Sequence, residues 1–253
     1  MRTDEPNHNV LKIKPPLTYT NVALVGGGQY PRPGEISLSH NGVLFLDELP
    51  EFKRDVLEVL RQPLEDRDVT ICRAKFTVTY PCSFMLVASM NQSPSGYFND
   101  PNSPMTSSPQ EMQRYLSKIS GPLLDRIDIH IEITPVPFEQ LSEERKGASS
   151  VTIRKRVTAS REVQSERFIA FENVHYNAQM NVKQILKFCK LSEESKILLK
   201  TAMEKLNLSA RAYDRILKVS RTIADLAKTT AISPDHISEA IQYRSLDRDG
   251  WLG

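Results

Sequence analysis

Two short runs of the chain are apolar without interruption, Val43–Leu46 and Phe84–Ala88. A strand covered on both faces of a parallel sheet reads this way, because neither side of its pleat meets water. Between the two runs the pattern changes twice. Over Glu51–Arg61, Phe52, Val56, Leu57 and Leu60 fall on one face at helical spacing, and Pro63 closes the segment. Over Asp68–Thr79 apolar and polar residues alternate, with Val69 and Ile71 on one arm and Phe76 and Val78 on the other, which is the period of a hairpin. Past a stretch rich in Ser, Pro and Asn (Gln92–Gln110), the pattern predicts a short helix at Gln110–Lys118 and a third strand at Ile127–Ile133. The first twenty residues, with Pro6, Pro15 and Pro16, show no period and read as a loop or frayed end. Gly26–Gly28, followed by Pro31, Pro33 and Gly34, is turn chemistry.

After Pro135 and Pro137 the period becomes helical throughout, over about Ser149–Arg167, Asn181–Phe188, Ser192–Leu206, Ser209–Lys228 and Ser233–Arg244. Ser192, Ser209 and Ser233 stand where a side-chain oxygen can cap the first free N–H groups, and Pro234 takes the first helical position. The expected organisation is a poorly defined segment over 1–21, an α/β core over 22–134, a linker over 135–147 and a helical subdomain over 148–253. No internal repeat is visible.

Composition narrows the class without naming the chemistry. The chain has 253 residues, 40% hydrophobic and 25% charged, enough for one large domain or two modest ones. Its apolar runs fall far short of the roughly 20 residues of a membrane span, and Met1–Pro6 lacks a signal-peptide pattern. Cys72, Cys82 and Cys189 are too few for a disulfide framework or a four-cysteine zinc site. A cytoplasmic protein with no membrane partner is the expectation. Lys and Arg number 33 against 31 Asp and Glu, so no global field marks a nucleic-acid binder. Local bias exists at Arg154–Arg167 and at Arg73–Lys75, where a solvated face and a partner surface are both open readings.

Gly42–Glu48 (GVLFLDE) is an apolar strand that ends abruptly in two carboxylates. In a parallel sheet that end opens onto the crevice where ligands bind. There an Asp can hold hydrated Mg²⁺ against phosphates, and a Glu can polarise an attacking water. Alternatively, Asp47 and Glu48 only begin the next helix, where carboxylates favour the positive end of the dipole. Phe84–Asn91 (FMLVASMN) repeats the design and places Asn91 at the same sheet edge, as a water-orienting amide or as a turn residue.

The order strand–Asp–Glu, helix, hairpin, strand–Asn, LLDRID and helical lid resembles the AAA+ ATPase module. Val22–Phe52, Ser120–Ile133 (SGPLLDRIDIHIEI) and Leu208–Leu226 (LSARAYDRILKVSRTIADL) are more closely similar to the magnesium-chelatase-like family of the YifB/ComM type. The resemblance runs from about Val22 to Arg248. It implies a partial P-loop-type parallel sheet with flanking helices and a hairpin insertion, then an all-helical lid. By the same resemblance Asp47 and Glu48 match the Walker B carboxylates, metal-holding and water-activating, and Asn91 matches sensor 1. Arg126 in LLDRID matches the arginine finger that reaches a neighbour's γ-phosphate; read from its surroundings alone it pairs with Asp125 or Asp128. Arg211 matches the sensor-2 arginine of the lid, with Arg215 one turn on as a rival. The hairpin matches the one placed before sensor 1, so Arg73 and Lys75 near its tip either face DNA in a ring's pore or decorate a solvated turn.

Implied cofactors are ATP and Mg²⁺; implied partners are DNA and further copies in a hexameric ring. The implied activity is that of ComM-type branch-migration helicases of natural transformation. The alternatives are a magnesium-chelatase motor for porphyrin metallation and a non-hydrolysing scaffold. Three departures qualify the match. No G-x-x-x-x-G-K-[ST] string occurs, so the phosphate-cradling loop is expected upstream and the chain is expected to be the back part of the ATPase, inactive alone. Lys14–Asn21 replaces a basic segment usual before Val22. Asn91–Gly96 carries Ser93 and Ser95 where many relatives have cysteines, so no zinc site is expected there.

Overall fold

The computed structural model describes residues 10–13, 20–91, 108–133 and 147–244. Ser93, Ser95, Pro135 and Pro137 lie outside them. The chain divides into two compact units, the first running to Ile127 and the second beginning at Asp128.

In the first unit three strands form a parallel sheet: β1 (Val10–Ile13), β4 (Val43–Leu46) and β7 (Met85–Ala88), in the order β1–β4–β7. Central β4 runs in register with both neighbours, Val10 and Met85 flanking Val43, Ile13 and Ala88 flanking Leu46. Its Leu44 and Leu46 are fully buried, whereas Val43 and Phe45 on the other face are half-buried, so the two-sided cover expected from the unbroken apolar run is complete on one face only. β7 lies at an edge, with Met85 and Val87 exposed. β1 corrects the reading of the first twenty residues as a loop: four residues become a strand because β4 supplies a ladder.

Between β1 and β4 stand α1 (Asn21–Val25), the short strands β2 (Gly26–Gly27) and β3 (Arg32–Pro33), and α2 (Glu35–Leu38). The antiparallel β2–β3 pair closes the glycine–proline turn. Gly26 has φ +101°, and a Cβ there would lie 2.2 Å from the Arg32 carbonyl oxygen, so this approach admits only glycine. After β4 the predicted single helix is divided into a 3₁₀ turn (Leu49–Glu51), α3 (Arg54–Glu58) and α4 (Arg61–Asp66). Pro63 does not end the helix. It sits in the first turn of α4, where an N–H has no intrahelical partner to lose. Val56, Leu57 and Leu60 are buried as the helical face required.

The hairpin forms as predicted, from β5 (Asp68–Arg73) and β6 (Phe76–Pro81), with Arg73 opposite Phe76 across a two-residue turn. α5 (Pro109–Leu116), closed by a Ser108–Glu111 capping box, and α6 (Gly121–Leu124) complete the first unit.

Ile127–Ile133 alternates as expected but is not a strand. A strand needs a ladder, and none pairs with this segment among the described residues. The His130 N–H instead donates to the Tyr243 carbonyl (2.7 Å), and Ile129, Ile131 and Ile133 remain exposed.

The rest of the second unit is helical: α7 (Ser150–Phe168), α8 (Val182–Phe188), α9 (Glu193–Lys205), α10 (Ala210–Leu226) and α11 (Pro234–Gln242). Ser149, Asn181, Ser192 and Ser209 each accept a hydrogen bond from an N–H in the first turn of the helix they precede. Phe168, Ile185, Leu199, Ile216, Leu217 and Ile237 build the core. Beside it Asp225, fully buried, receives a bidentate pair from Arg167 (2.5 and 2.6 Å) and a third bond from Arg221 (3.1 Å).

Candidate functional site

The parallel register decides what meets at the C-terminal edge of the sheet. Leu46 and Ala88 are opposite, so Asp47 and Ser89, the next residues of their strands, emerge side by side. The Ser89 hydroxyl donates to Asp47 Oδ1 (2.6 Å) and accepts from the Glu48 N–H (3.3 Å). The Ser89 carbonyl accepts from the Leu49 N–H (2.8 Å), while the Asp47 N–H reaches back to the Ile13 carbonyl (3.0 Å). Two neighbouring strands therefore hold the Asp–Glu pair by main-chain bonds, and one hydroxyl bridges its two members.

Glu48 has left-handed backbone angles, φ 54° and ψ 51°. A residue with a Cβ is roughly 1–2 kcal/mol less stable there than in the right-handed region, and such strain concentrates at functional positions. It turns the chain sharply from β4 into the 3₁₀ turn, leaving Asp47 half-buried and Glu48 exposed. Neither carboxylate begins a regular helix; α3 starts only at Arg54.

Asn91, exposed, lies two residues beyond Ser89, and its carbonyl accepts from the Tyr115 hydroxyl of α5 (3.3 Å). Burial pushes the Tyr115 phenol above its ordinary value, and the Glu51 and Glu48 carboxylates add to the rise. Tyr115 thus stays a neutral donor beside the carboxylates. Neither Ser89 nor Tyr115 was singled out from sequence. The signal for Ser89 was available once the two strands were taken as parallel neighbours, because equal strand ends place Asp47 and Ser89 together.

The donor set suits a hydrated cation. Among the described residues no group of three or more His, Cys, Asp or Glu side chains forms a cage for a metal. Mg²⁺ needs none, since it binds through one or two carboxylates with phosphates and water completing the octahedron. Asp47, held by Ser89, with Glu48 beside it, fits that pattern.

Arg126 belongs to the first unit but to a different wall. Its guanidinium pairs with Glu65 and donates to the Pro122 carbonyl (2.7 Å). Asp125 and Asp128, the partners read from sequence, are not the ones it takes; Asp128 pairs with Arg215 in the second unit. Arg126 Nε is buried without a hydrogen-bond partner, and the side chain edges a cleft of about 520 Å³ with Glu58, Glu65, Asp66 and Thr70. Arg211 lies exposed in the first turn of α10 and makes no ion pair among the described residues, whereas its rival Arg215 is committed to Asp128.

Arg73 ends the first hairpin arm and Lys75 lies in the turn itself, both exposed. One hairpin face packs on the glycine–proline turn. Arg73 Nε donates to the Gly28 carbonyl (3.3 Å), and the Tyr80 hydroxyl donates to the Pro31 carbonyl (3.0 Å).

Among the described residues no helix is long and apolar enough to cross a membrane. Residues 7–141 match the family model "Magnesium chelatase, subunit ChlI", and residues 147–244 match that of the ChlI C-terminal region. The chain is 48% identical over 227 residues to Competence protein ComM of Haemophilus influenzae, covering 89% of this chain and 43% of that protein. It is 46% identical, over 89% of its own length and 44% of the relative's, to uncharacterised protein YifB of Escherichia coli. An uncharacterised protein of Mycobacterium tuberculosis is 34% identical over 233 residues, 92% of this chain and 46% of its own length. The chain thus spans less than half the length of these relatives. With both family models and relatives of this identity covering most of its sequence, the chain belongs to the magnesium chelatase subunit ChlI family, on its ComM and YifB side.

Proposed function

We propose that this chain is the catalytic-edge and lid portion of an ATP-driven motor that works on DNA as a ring of identical copies. The observation that carries the reading is the Asp47–Ser89–Glu48 arrangement at the end of a parallel sheet. Bound Mg·ATP would supply the transferable phosphoryl group and the cation that neutralises it, with Asp47 as the residue to hold the metal. Glu48, exposed and next to Asp47, takes up the proton of an attacking water in this reading. Asn91, with its main chain fixed by Tyr115, orients that water.

Arg126 acts on the nucleotide of a neighbouring copy in this reading, exchanging Glu65 for a phosphate as the interface forms. Arg211 serves as the lid's contact to phosphate. Both supply positive charge for the phosphates. The hairpin tip, with Arg73 and Lys75, faces the DNA. The name of the Haemophilus relative and its 48% identity favour DNA over a porphyrin as the substrate.

Because the 253 residues hold no Walker A string, the test is a chimera in which this chain replaces the matching region of the Haemophilus ComM protein. The motor reading expects steady-state ATP hydrolysis that rises several-fold with DNA. Hydrolysis indifferent to DNA but raised by a porphyrin-handling partner would favour the chelatase reading. ATP binding without turnover would favour the scaffold.

A further inference from the structure

The chemistry at the sheet edge uses neither of two aromatic rings that stand in the open at the hairpin tip. Tyr30 is 69% exposed and Phe76 43% exposed, and their centroids lie 6.2 Å apart with planes tilted by 45°. Neither ring fills the core. Leu24, Ile36, Val69 and Ile71 are the apolar side chains that these neighbouring segments bury.

Their position is nevertheless fixed. Arg73 holds the Gly28 carbonyl and Tyr80 holds the Pro31 carbonyl, so the turn is tied to the hairpin on both sides of Tyr30. Arg73 also fills the space where a Cβ on Gly27 would sit, 2.8 Å from its Nη2. Phe76 is directly opposite Arg73 in the ladder and therefore on the same face of the hairpin. A flexible loop tip would carry such rings loosely; here the order is already established before any ligand arrives.

The surrounding charge has one sign. Over Gly26–Gly34 and Val69–Pro81 the charged residues are Arg32, Arg73 and Lys75, and neither segment contains Asp or Glu. All three cations are exposed. Exposed aromatic rings interleaved with cations are what unpaired bases and their phosphates require, whereas a duplex keeps its base faces stacked inside.

Resting on the reading of the hairpin as the DNA-facing element, we propose that Tyr30 and Phe76 form a base-stacking platform for single-stranded nucleic acid, with Arg32 and Lys75 on the flanking phosphates. Arg73 is the positioning residue that holds the platform together through Gly28. Because every base has a π-face, the platform tolerates any sequence and discriminates by strandedness.

Binding of fluorescein-labelled oligothymidylate to the whole chain, followed by anisotropy over a range of salt, tests this. Tyr30→Ala and Phe76→Ala are each expected to weaken binding roughly five- to a hundredfold, the range for one stacked base, with the slope against log salt unchanged. Tyr30→Trp is expected to bind at least as well as the parent. Lys75→Ala should instead lower the magnitude of the slope by about 0.7, one phosphate contact on a single strand. Inorganic polyphosphate, which has no bases, should compete equally well against the parent and the aromatic variants. Neither ring belongs to the buried core, so thermal unfolding by circular dichroism should match the parent and exclude misfolding.

Oligothymidylate affinity untouched by the aromatic variants overturns the platform while leaving a DNA-facing hairpin intact, provided Lys75→Ala still shifts the slope. Absence of binding by the parent even at low salt overturns both. Tighter binding of polyglutamate than of oligothymidylate assigns the patch to an acidic peptide and overturns the platform.

Discussion

Strain at Glu48 makes an unusual stability prediction, one in which glycine is the better residue. The perturbation is the pair Glu48→Gly and Glu48→Ala. Both remove the carboxylate, and both keep the main-chain N–H that donates to Ser89 Oγ. They differ in tolerance of the backbone angles φ 54° and ψ 51°. Alanine retains a left-handed penalty of roughly 1–2 kcal/mol, and glycine escapes it. Glycine loses more freedom on folding, by roughly 0.5–1 kcal/mol. The difference leaves Glu48→Gly more stable than Glu48→Ala by about 0.5–1 kcal/mol, whereas at an ordinary strand or helix position the order is reversed. Urea unfolding of the two variants, with hydrogen exchange at the Val43–Leu46 amides to isolate the first unit, reads the sign. Glu48→Ala as the more stable variant would refute the claim that the turn after β4 is strained.

Ser89→Ala removes the hydroxyl that bridges Asp47 and Glu48. In the Haemophilus chimera it should lower kcat roughly ten- to a hundredfold and leave KM for ATP within twofold, since a hydrogen bond to a charged group contributes about 1.5–3 kcal/mol; an unchanged kcat would remove Ser89 from the site. In the second unit, Asp225→Ala leaves Arg221 buried and Arg167 half-buried without their counter-charge, and should destabilise the unit by about 3–5 kcal/mol, read as a lower urea midpoint. A loss below about 1 kcal/mol would mean that water or other groups compensate. Burial pushes the Cys82 thiol up to about 12 and the Cys189 thiol up to about 11, while Cys72 is exposed. Ellman's reagent at pH 8 should therefore modify Cys72 quickly and the other two only on unfolding. The two buried thiols resist ionisation in the folded state, so their contribution is full below the ordinary thiol value of about 9 and falls as pH rises toward their folded values of about 11 and 12. Stability that instead rises over that interval in a Cys72→Ser chain would contradict the assignment.

Much of this architecture is written locally. Val43–Leu46 is legible because its apolar run is unbroken, though only the Leu44 and Leu46 face is fully buried, and its abrupt end makes Asp47 and Glu48 visible. The hairpin shows itself by period, and two helices of the second unit by Ser192 and Ser209, whose side chains act within three residues of themselves. What escaped depends on distant partners. Val10–Ile13 is a strand only because β4, thirty-odd residues on, offers a parallel ladder. Ile127–Ile133 has the period of a strand and no ladder. Arg126 has two carboxylates close by in sequence, yet the fold hands it Glu65, 61 residues away. The Tyr30–Phe76 pair was hidden for the same reason, one ring lying in a proline-rich turn and the other on a hairpin arm until the Arg73 and Tyr80 side chains tied the two segments together.

The most direct test of the catalytic edge is single-turnover hydrolysis of pre-bound ATP by the Haemophilus chimera carrying Glu48→Gln. If Glu48 accepts the water's proton, the variant holds ATP with Mg²⁺ as well as the parent chimera and releases phosphate at least a hundredfold more slowly, the weight general-base catalysis commonly carries. Phosphate release within a fewfold of the parent rate would show that water is activated elsewhere, and the reading of this sheet edge would fail.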